Sequence, residues 1–397
     1  MKKKIIIGIT GSIAAYKAVQ LISDLMKKDY VIEVLMSESA TKFITPICIQ
    51  SLTKRKVYVD TFDEETPAII THVDIVKDAD LFVIVPASAH TIAKVANGMA
   101  DNMLTCAFLA ATCPKLIAPA MNVHMFENPI TQKNIQSLQD CGVYFVEPAC
   151  GMLACGDIGR GKLADQEDIM EMMDYAMHDK PLQGKKVLVS AGPTQENLDP
   201  VRYITNHSSG KMGYAIAKAA YCLGADVTLV SGPTQLKKPY GVTTIDVKSA
   251  DDMYQAIINK ADLQDYIVMS AAVGDYRPQH PFDEKIKKND ELLTLEFIKN
   301  KDILLELGKN KKSHQIICGF AMETNDLIEN AQKKLIKKNC DMIVANHLKN
   351  EGAGFQGDTN IVSILTKDHI QNYDLMSKEA LAYEILKQMI QLEENKC

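Results

Sequence analysis

The chain has no tryptophan, only 6% aromatic residues among 397, and no run of 18 or more apolar residues. The last absence excludes a membrane-spanning helix on length. The first two mean that cores in a chain that is 47% hydrophobic must be filled by Ile, Leu, Val, Ala and 19 methionines, which suits the buried strands of parallel sheets. Positive charge is not in excess either: 44 Lys and Arg stand against 50 Asp and Glu, a net charge of −6. That balance gives no general case for nucleic-acid binding. The ten cysteines are scattered from Cys48 to Cys397 and include no Cys-x-x-Cys pair, so they read as reduced thiols of a cytoplasmic protein.

What is present is the composition of a packed protein. With 24% charged residues the chain is neither disordered nor fibrous, and at roughly 150 residues per domain its length predicts two or three domains. Met1-Lys2-Lys3-Lys4 followed by Ile5 to Ala15 mimics a secretory signal. The interruption by Gly8-Ile9-Thr10-Gly11-Ser12, and the helical spacing of Ile13, Tyr16, Lys17, Leu21, Leu25 and Met26 after it, favour a strand, a turn and a helix instead.

The pattern continues as β-α-β units. Strands are expected at Lys3–Ile9, Val31–Met36, Leu81–Pro86, Lys115–Pro119 and Val143–Val146, with helices at Ser12–Lys28, His90–Met99, Pro129–Cys141 and Gln166–His178. Gly151 to Asp165 is Gly-rich without periodicity, and Asp179–Gly184 reads as a surface linker. The pattern then restarts with a strand at Lys185–Ser190, a helix at Ser209–Leu223 and a strand at Asp226–Val230. The expectation is therefore two α/β domains, 1–182 and 183–397, each doubly wound around a mostly parallel sheet. Gly192-Pro193-Thr194 recurs as Gly232-Pro233-Thr234, a local echo without assigned function. Lys285 to Lys338 holds 12 Lys against 8 Asp and Glu, a cluster able to collect a polyphosphate or to form solvated helix faces.

Gly8-Ile9-Thr10-Gly11-Ser12 sits between strand and helix, where backbone N–H groups and the helix dipole favour a phosphate, although a tight turn alone can demand the glycines. The spacing is neither G-x-G-x-x-G nor a P-loop, which favours a mononucleotide. Ser37-Glu38-Ser39-Ala40 and Pro86-Ala87-Ser88-Ala89 follow other strands at their carboxyl ends, as ligand loops or as helix caps. His72, Pro119-Ala120-Met121-Asn122-Val123-His124-Met125 and Ala154-Cys155-Gly156-Asp157-Ile158-Gly159-Arg160-Gly161-Lys162 together resemble the FMN-dependent decarboxylases that act on phosphopantothenoylcysteine. The resemblance implies a flavodoxin-like domain holding FMN through Gly11, Ser12, Ile13, Ser37, Ser88 and Met103. It implies oxidation of the substrate thiol by the flavin, loss of carbon dioxide, and re-reduction of the product. It further implies His72 as acid/base, Asn122 on the substrate carboxylate and Cys155 as proton donor on a flap. The residues alone leave His72 open as a structural hydrogen-bonder and Cys155 as a buried thiol or a partner of Cys150.

In the second half, Asp199-Pro200-Val201-Arg202-Tyr203-Ile204-Thr205-Asn206-His207-Ser208-Ser209-Gly210-Lys211 runs into a helix, with cap and backbone donors for a phosphate. Ser270-Ala271-Ala272-Val273-Gly274-Asp275 and Glu284-Lys285-Ile286-Lys287-Lys288 put a carboxylate suited to Mg²⁺ near lysines suited to a triphosphate. These stretches resemble phosphopantothenate–cysteine ligase, fused to the decarboxylase in the bifunctional family of coenzyme A biosynthesis. That resemblance covers nearly the whole chain. It implies a Rossmann-like domain that uses CTP to activate 4′-phosphopantothenate as an acyl-cytidylate, which L-cysteine then attacks. It assigns Asn206 to the acyl-cytidylate, Lys285 to the phosphates, Met269, Ser270 and Ala271 to the base, and Asp275 to Mg²⁺. Lys301, Asp302, Ile303, Leu304, Phe320, Lys334 and Lys338 complete the nucleotide site. Lys301 stands where the family commonly has Pro, which frees φ and restores an N–H. Lys334 and Lys338, spaced i, i+4, also fit an exposed helix face. The resemblance implies trimers of the flavin part and dimers of the ligase part, giving a dodecamer, with neither nucleic acid nor membrane as partner. Two rivals stay open, a flavin oxidoreductase with a pyridine-nucleotide domain and a non-catalytic nucleotide-binding scaffold.

Overall fold

The computed structural model describes all residues except 1, 64–69, 153–155, 288–292, 324–325, 348–356 and 397. The chain separates into two units, Met1–His178 and Asp179–Cys397.

In the first unit, β1 (Lys4–Ile9), β2 (Val31–Met36), β3 (Val57–Tyr58), β4 (Leu81–Ala87), β5 (Lys115–Pro119) and β6 (Tyr144–Phe145) form one sheet in the order β3-β2-β1-β4-β5-β6. Every pairing is parallel. β3 is a two-residue edge stub. The other five strands, renumbered in sequence, run 2-1-3-4-5, the flavodoxin order. The strands read as unbroken apolar runs because helices cover both faces, and all of β4 is buried. Helix α1 (Ala15–Lys27) buries Ala15, Ala18, Leu21, Ile22 and Leu25, the stripe expected of a helix on a sheet. Further helices are α2 (Pro46–Thr53), α3 (Thr71–Asp74), α4 (Ala89–Ala96), α5 (Met103–Ala110), α6 (Val123–Glu127), α7 (Pro129–Asp140) and α8 (Gln166–Met177). The Gly-rich stretch that carried no periodicity contains an antiparallel hairpin, β7 (Ala149–Met152) and β8 (Ile158–Lys162).

In the second unit the main sheet contains β9 (Lys186–Ala191), then, past the short antiparallel pair β10 (Gln195–Asn197) and β11 (Tyr203–Thr205), β12 (Asp226–Ser231) and β13 (Thr243–Asp246). It continues with β14 (Tyr266–Met269) and, past the antiparallel pair β15 (Tyr276–Pro278) and β16 (Phe297–Lys299), with β17 (Ile316–Glu323), β18 (Met342–His347), β19 (Thr359–Thr366) and β20 (Ile370–Ser377). The order β13-β12-β9-β14-β17-β18-β19-β20 is the Rossmann order 3-2-1-4-5-6 with an antiparallel hairpin added at one edge. Its helices are α9 (Lys211–Cys222), α10 (Ala250–Ala261), α11 (Ile303–Lys309), α12 (Leu327–Lys337) and α13 (Lys378–Glu394). The surface linker expected at 179–184 is docked instead: Leu182 is buried in the core of this unit, with its N–H on the Leu223 carbonyl at 3.0 Å.

The echoed tripeptides meet. β9 and β12 are paired in register up to Ala191 and Ser231, so both leave the sheet at the same height. A Cβ on Gly232 would lie 1.9 Å from the Pro193 carbonyl oxygen, and one on Gly192 would lie 2.9 Å from Thr234 Cγ2. The glycine recurs because the two strand exits pack against each other with no room for a side chain.

Among the described residues no helix is long and apolar enough to cross a membrane. Cys48, Cys106, Cys113, Cys141, Cys150, Cys222, Cys318 and Cys340 are free thiols.

Candidate active sites

Strand order reverses at β1/β4 in the first unit and at β9/β14 in the second, and ligands of open α/β sheets bind beyond the carboxyl ends of strands at that point. At β1/β4 the loops are tied by Thr10, whose buried hydroxyl donates to the Pro86 carbonyl at 2.7 Å and accepts from the Ser88 N–H at 2.9 Å. Beyond this tie opens a cavity of about 750 Å³, within the usual range for small-molecule sites.

Gly11, Ser12, Ile13, Ser37 and Ser88 all line it. Ser37 and Ser88 also cap, accepting from the N–H groups of Ala40 at 3.2 Å and Thr91 at 3.3 Å, so the same serines cap and border the cavity. Gly11 is there for space: a Cβ would lie 2.6 Å from Ser39 Cβ. Met103 is fully buried in the core and does not line the cavity; its neighbours Asn102, Leu104 and Thr105 do. Asn102 and Thr105 close a capping box at the start of α5. A cradle of glycine, serines and helix starts suits a flavin mononucleotide.

His72 lies in α3, which packs on α5, and does not line this cavity; its Nδ1 is buried without a hydrogen-bond partner. Asn122 follows the cavity residues Ala120 and Met121. It is not itself among the lining residues, and it caps α6 by accepting the His124 N–H at 2.9 Å. Cys155 lies outside the described residues.

In the second unit two adjoining cavities share Ala271, Val273, Asp275, Phe320 and Lys334. The larger, about 480 Å³, is lined by Met269, Ala271, Asp275, Lys301, Asp302, Ile303, Leu304, Phe320, Lys334 and Lys338. Ser270 and Asn206 line the other, about 390 Å³. Lys334 and Lys338 therefore turn to the cavity, while Lys333 on the same helix pairs with Glu329 at 2.6 Å. Lys334 Nζ donates to the Phe320 carbonyl at 2.6 Å. Lys338 pairs with Asp302, which caps α11 through the Leu305 N–H at 2.9 Å. Burial opposes ionisation of Asp302, yet the Lys338 ammonium and the Leu305 N–H hold its carboxyl below the usual range. Lys301 lies 4.5 Å above the Tyr254 ring and 3.3 Å from Asp251. Asn300 supports this turn by donating to the Gly274 carbonyl at 2.8 Å and accepting from Arg277 at 2.7 Å.

Sequence reading missed the strand-end hydroxyls here. Ser190 Oγ accepts the Ala271 N–H at 3.1 Å and Thr194 Oγ1 the Gly274 N–H at 2.9 Å, so β9 and β14 stay joined past the sheet. Both hydroxyls lie at or just past the end of β9 and their partners lie 81 and 80 residues further on, so no local signal marks them. Asn206 Nδ2 donates to the Ala272 carbonyl at 3.0 Å.

The smaller cavity also meets the start of α9, where Gly210 has φ +79°. Lys211, Asn346, Asn360 and Lys378 complete its wall. Lys378 is only 6% exposed, and its Nζ reaches the Gly357 carbonyl at 2.6 Å. Burial, and then repulsion from Lys211, push its ammonium pKa down.

Lys285 is exposed and lines neither cavity. Its segment is nevertheless held. Asp199, 2% exposed, accepts the Ile286 N–H at 3.1 Å and pairs with Arg202 at 2.7 Å, and Arg202 donates to the Ile286 carbonyl at 2.6 Å. Burial opposes ionisation of Asp199, but the backbone N–H groups of Ile286, Val201 and Arg202 more than offset it and keep the carboxyl well below the usual range. Asp275 is a single exposed carboxylate, and no group of three or more metal-ligating side chains occurs among the described residues. Such a donor suits Mg²⁺ that arrives on substrate phosphates, which needs only one or two protein carboxylates.

Residues 1–178 match the family described as Flavoprotein, and residues 182–392 match the DNA/pantothenate metabolism flavoprotein C-terminal domain. The coenzyme A biosynthesis bifunctional protein CoaBC of Bacillus subtilis is 47% identical over 395 residues, covering 98% of this chain and 97% of its own length. The protein of the same description from Vibrio cholerae is 43% identical over 386 residues, covering 97% of each chain. A solved structure described as the C-terminal domain of coenzyme A biosynthesis bifunctional protein CoaBC aligns with a TM-score of 0.48 at 44% identity, covering 55% of this chain and all of that one. Identity at this level along nearly the full length, with both domain families matched in the same order, means that the chain belongs to the CoaBC family of bifunctional coenzyme A biosynthesis proteins.

Proposed function

We propose that the protein performs two successive steps of coenzyme A biosynthesis: CTP-dependent joining of 4′-phosphopantothenate to L-cysteine in the second unit, and FMN-dependent decarboxylation of the product to 4′-phosphopantetheine in the first. The observation that carries this reading is that each switch point opens into a separate nucleotide-sized cavity, one floored by glycine and serines, the other lined by lysines.

In the second unit Lys301, Lys334 and Lys338 neutralise the CTP phosphates, Asp275 takes the accompanying Mg²⁺, and Met269, Ser270 and Ala271 face the base. The Ala271 N–H is already engaged by Ser190. Asn206 holds the acyl-cytidylate from the wall of the smaller cavity, beside the residues the two cavities share, and Lys285 approaches the phosphates from the segment anchored by Asp199. The smaller cavity takes the phosphate end of 4′-phosphopantothenate, between the α9 N-terminus and the cations Lys211 and Lys378. Lys378→Met should raise the KM for 4′-phosphopantothenate about tenfold, the worth of one charge-assisted hydrogen bond. The KM for CTP should stay near its original value, and preference over unphosphorylated pantothenate should shrink in steady-state assays.

In the first unit bound FMN supplies the two-electron oxidation of the cysteine thiol and the later re-reduction. The protein holds the flavin at Gly11, Ser12, Ile13, Ser37 and Ser88, with Met103 packing behind the wall. Asn122 holds the substrate carboxylate, His72 moves the thiol-side proton and Cys155 returns one. The rim residues Ile13, Phe43 and Met125 are apolar and half-exposed or more, and His72 stands off the cavity of its own chain. Both features support a homo-oligomer in which a second copy completes the flavin site, and we extend the proposal to a trimer-based assembly, up to a dodecamer, working in the cytoplasm.

The deciding experiment is mass spectrometry of purified protein supplied with 4′-phosphopantothenate, L-cysteine and CTP. 4′-Phosphopantetheine and pyrophosphate are expected, and absence of any new product would overturn the reading. NAD(P)H should leave the flavin oxidised; bleaching would favour an oxidoreductase. Release of pyrophosphate only when 4′-phosphopantothenate and CTP are both present excludes a passive scaffold.

A further inference from the structure

Asn122 is already occupied by a carboxylate of this chain. Its Nδ2 donates to Asp157 Oδ2 at 2.9 Å, while the His124 N–H holds the other end of the amide. Asp157 immediately precedes β8, and β8 is fastened to the Asn122 segment from behind. Met121 N donates to the Gly161 carbonyl at 2.9 Å. A Cβ on Gly161 would lie 2.4 Å from the Met121 carbonyl oxygen, and one on Gly159 would lie 2.5 Å from Val123 Cγ2. Arg160 pairs with Glu147 and stands 5.4 Å from the Phe126 ring centroid. The hairpin thus lies against residues 121–123 at backbone contact, and its carboxylate reaches the amide assigned above to the substrate's carboxylate.

We propose that Asp157 is a positioning residue of the decarboxylase that stands in for the substrate carboxylate on Asn122 until substrate displaces it. The inference rests on the assignment of Asn122 to that carboxylate. An amide nitrogen flanked by two carboxylates would place like charges side by side, so one carboxylate excludes the other. The exchange favours turnover in one direction. A substrate bearing a carboxylate competes for Asn122, whereas the product, having lost that group as carbon dioxide, does not, and Asp157 takes the amide back. The bond is open to solvent, with Asp157 exposed and Asn122 half-buried, so it sits at the low end of the usual range, worth a roughly three- to tenfold change in affinity.

The test uses full-length protein with bound FMN and two non-reacting ligands followed by calorimetry. Phosphopantothenoylserine keeps the carboxylate but has a hydroxyl in place of the oxidisable thiol, and 4′-phosphopantetheine lacks the carboxylate. Asp157→Ala and Asp157→Asn should bind the serine compound roughly three- to tenfold more tightly than the unaltered protein and bind 4′-phosphopantetheine equally well. Asn122→Ala should weaken the serine compound, and adding Asp157→Ala to it should change nothing further. Unchanged or weaker binding in the Asp157 variants, with Asn122→Ala still weakening the serine compound, overturns the stand-in alone. Unchanged binding in Asn122→Ala overturns the assignment of Asn122, and the stand-in with it. The flavin absorbance spectrum in each variant reports that the unit is folded and loaded.

Discussion

Gly11→Val is expected to yield a protein that makes phosphopantothenoylcysteine and stops there. The Cβ it introduces falls 2.6 Å from Ser39 Cβ, with the Ser39 carbonyl carbon at 3.3 Å. These are atoms fixed to the backbone, so no rotamer change relieves the overlap. Either the Thr10–Ile13 turn or the turn capped by Ser37 must move, and both line the flavin cavity. Overpacking of this kind costs about 3 kcal/mol, roughly a hundredfold in flavin affinity. The purified variant should be colourless, and the mass-spectrometric assay should find phosphopantothenoylcysteine accumulating at the normal ligation rate. A yellow variant that still completes decarboxylation would remove Gly11 from the flavin site.

Gly232→Ala is the reciprocal case. Its Cβ would stand 1.9 Å from the Pro193 carbonyl oxygen, where the β9 and β12 exits touch and where the chain turns toward Thr194 and the Ala272 segment. Pro193 is bridged to Ala272, which lines the smaller cavity, so its carbonyl cannot yield without disturbing that wall. A loss of about 3 kcal/mol or more follows, which for a unit of this size lowers Tm by roughly 6–12 °C. The expected variant retains flavin and decarboxylates supplied phosphopantothenoylcysteine, but forms none from 4′-phosphopantothenate, L-cysteine and CTP. Calorimetry should show one transition displaced and the other unmoved. Equal displacement of both transitions, or a variant with full ligase activity, would contradict this expectation.

The parallel strands were legible because they are buried on both faces. Ile5 to Ile7 and Leu81 to Val85 leave no polar residue to disguise the run. Helix α5 was not, although it borders the flavin cavity. Met103, Leu104, Thr105, Ala107 and Phe108 are all buried, and a helix covered on several sides shows no amphipathic period. Hairpin β7–β8 was missed for a different reason. Its glycines answer to contact with residues 121–123, some 40 positions earlier in the chain, and nothing local announces that. In the sites, loops whose residue types match a known constellation were readable one by one: Gly11, Ser37 and Ser88 do line one cavity, and Lys334 and Lys338 do face another. The hydroxyls of Thr10, Ser190 and Thr194 were not readable, since each bonds a strand end about 75 to 80 residues away. His72 and Lys285 show the opposite limit. The motif names them, but their own unit leaves both off the cavity walls.

The division at His178 and Asp179 leaves the core of the flavin unit built wholly from residues that precede it. Translation delivers that unit first, and domains fold as they emerge. On the proposed reading, the fold that carries the later reaction is formed while the fold that carries the earlier one is still on the ribosome. Biosynthesis of the protein and the chemistry it performs run in opposite order along the same chain.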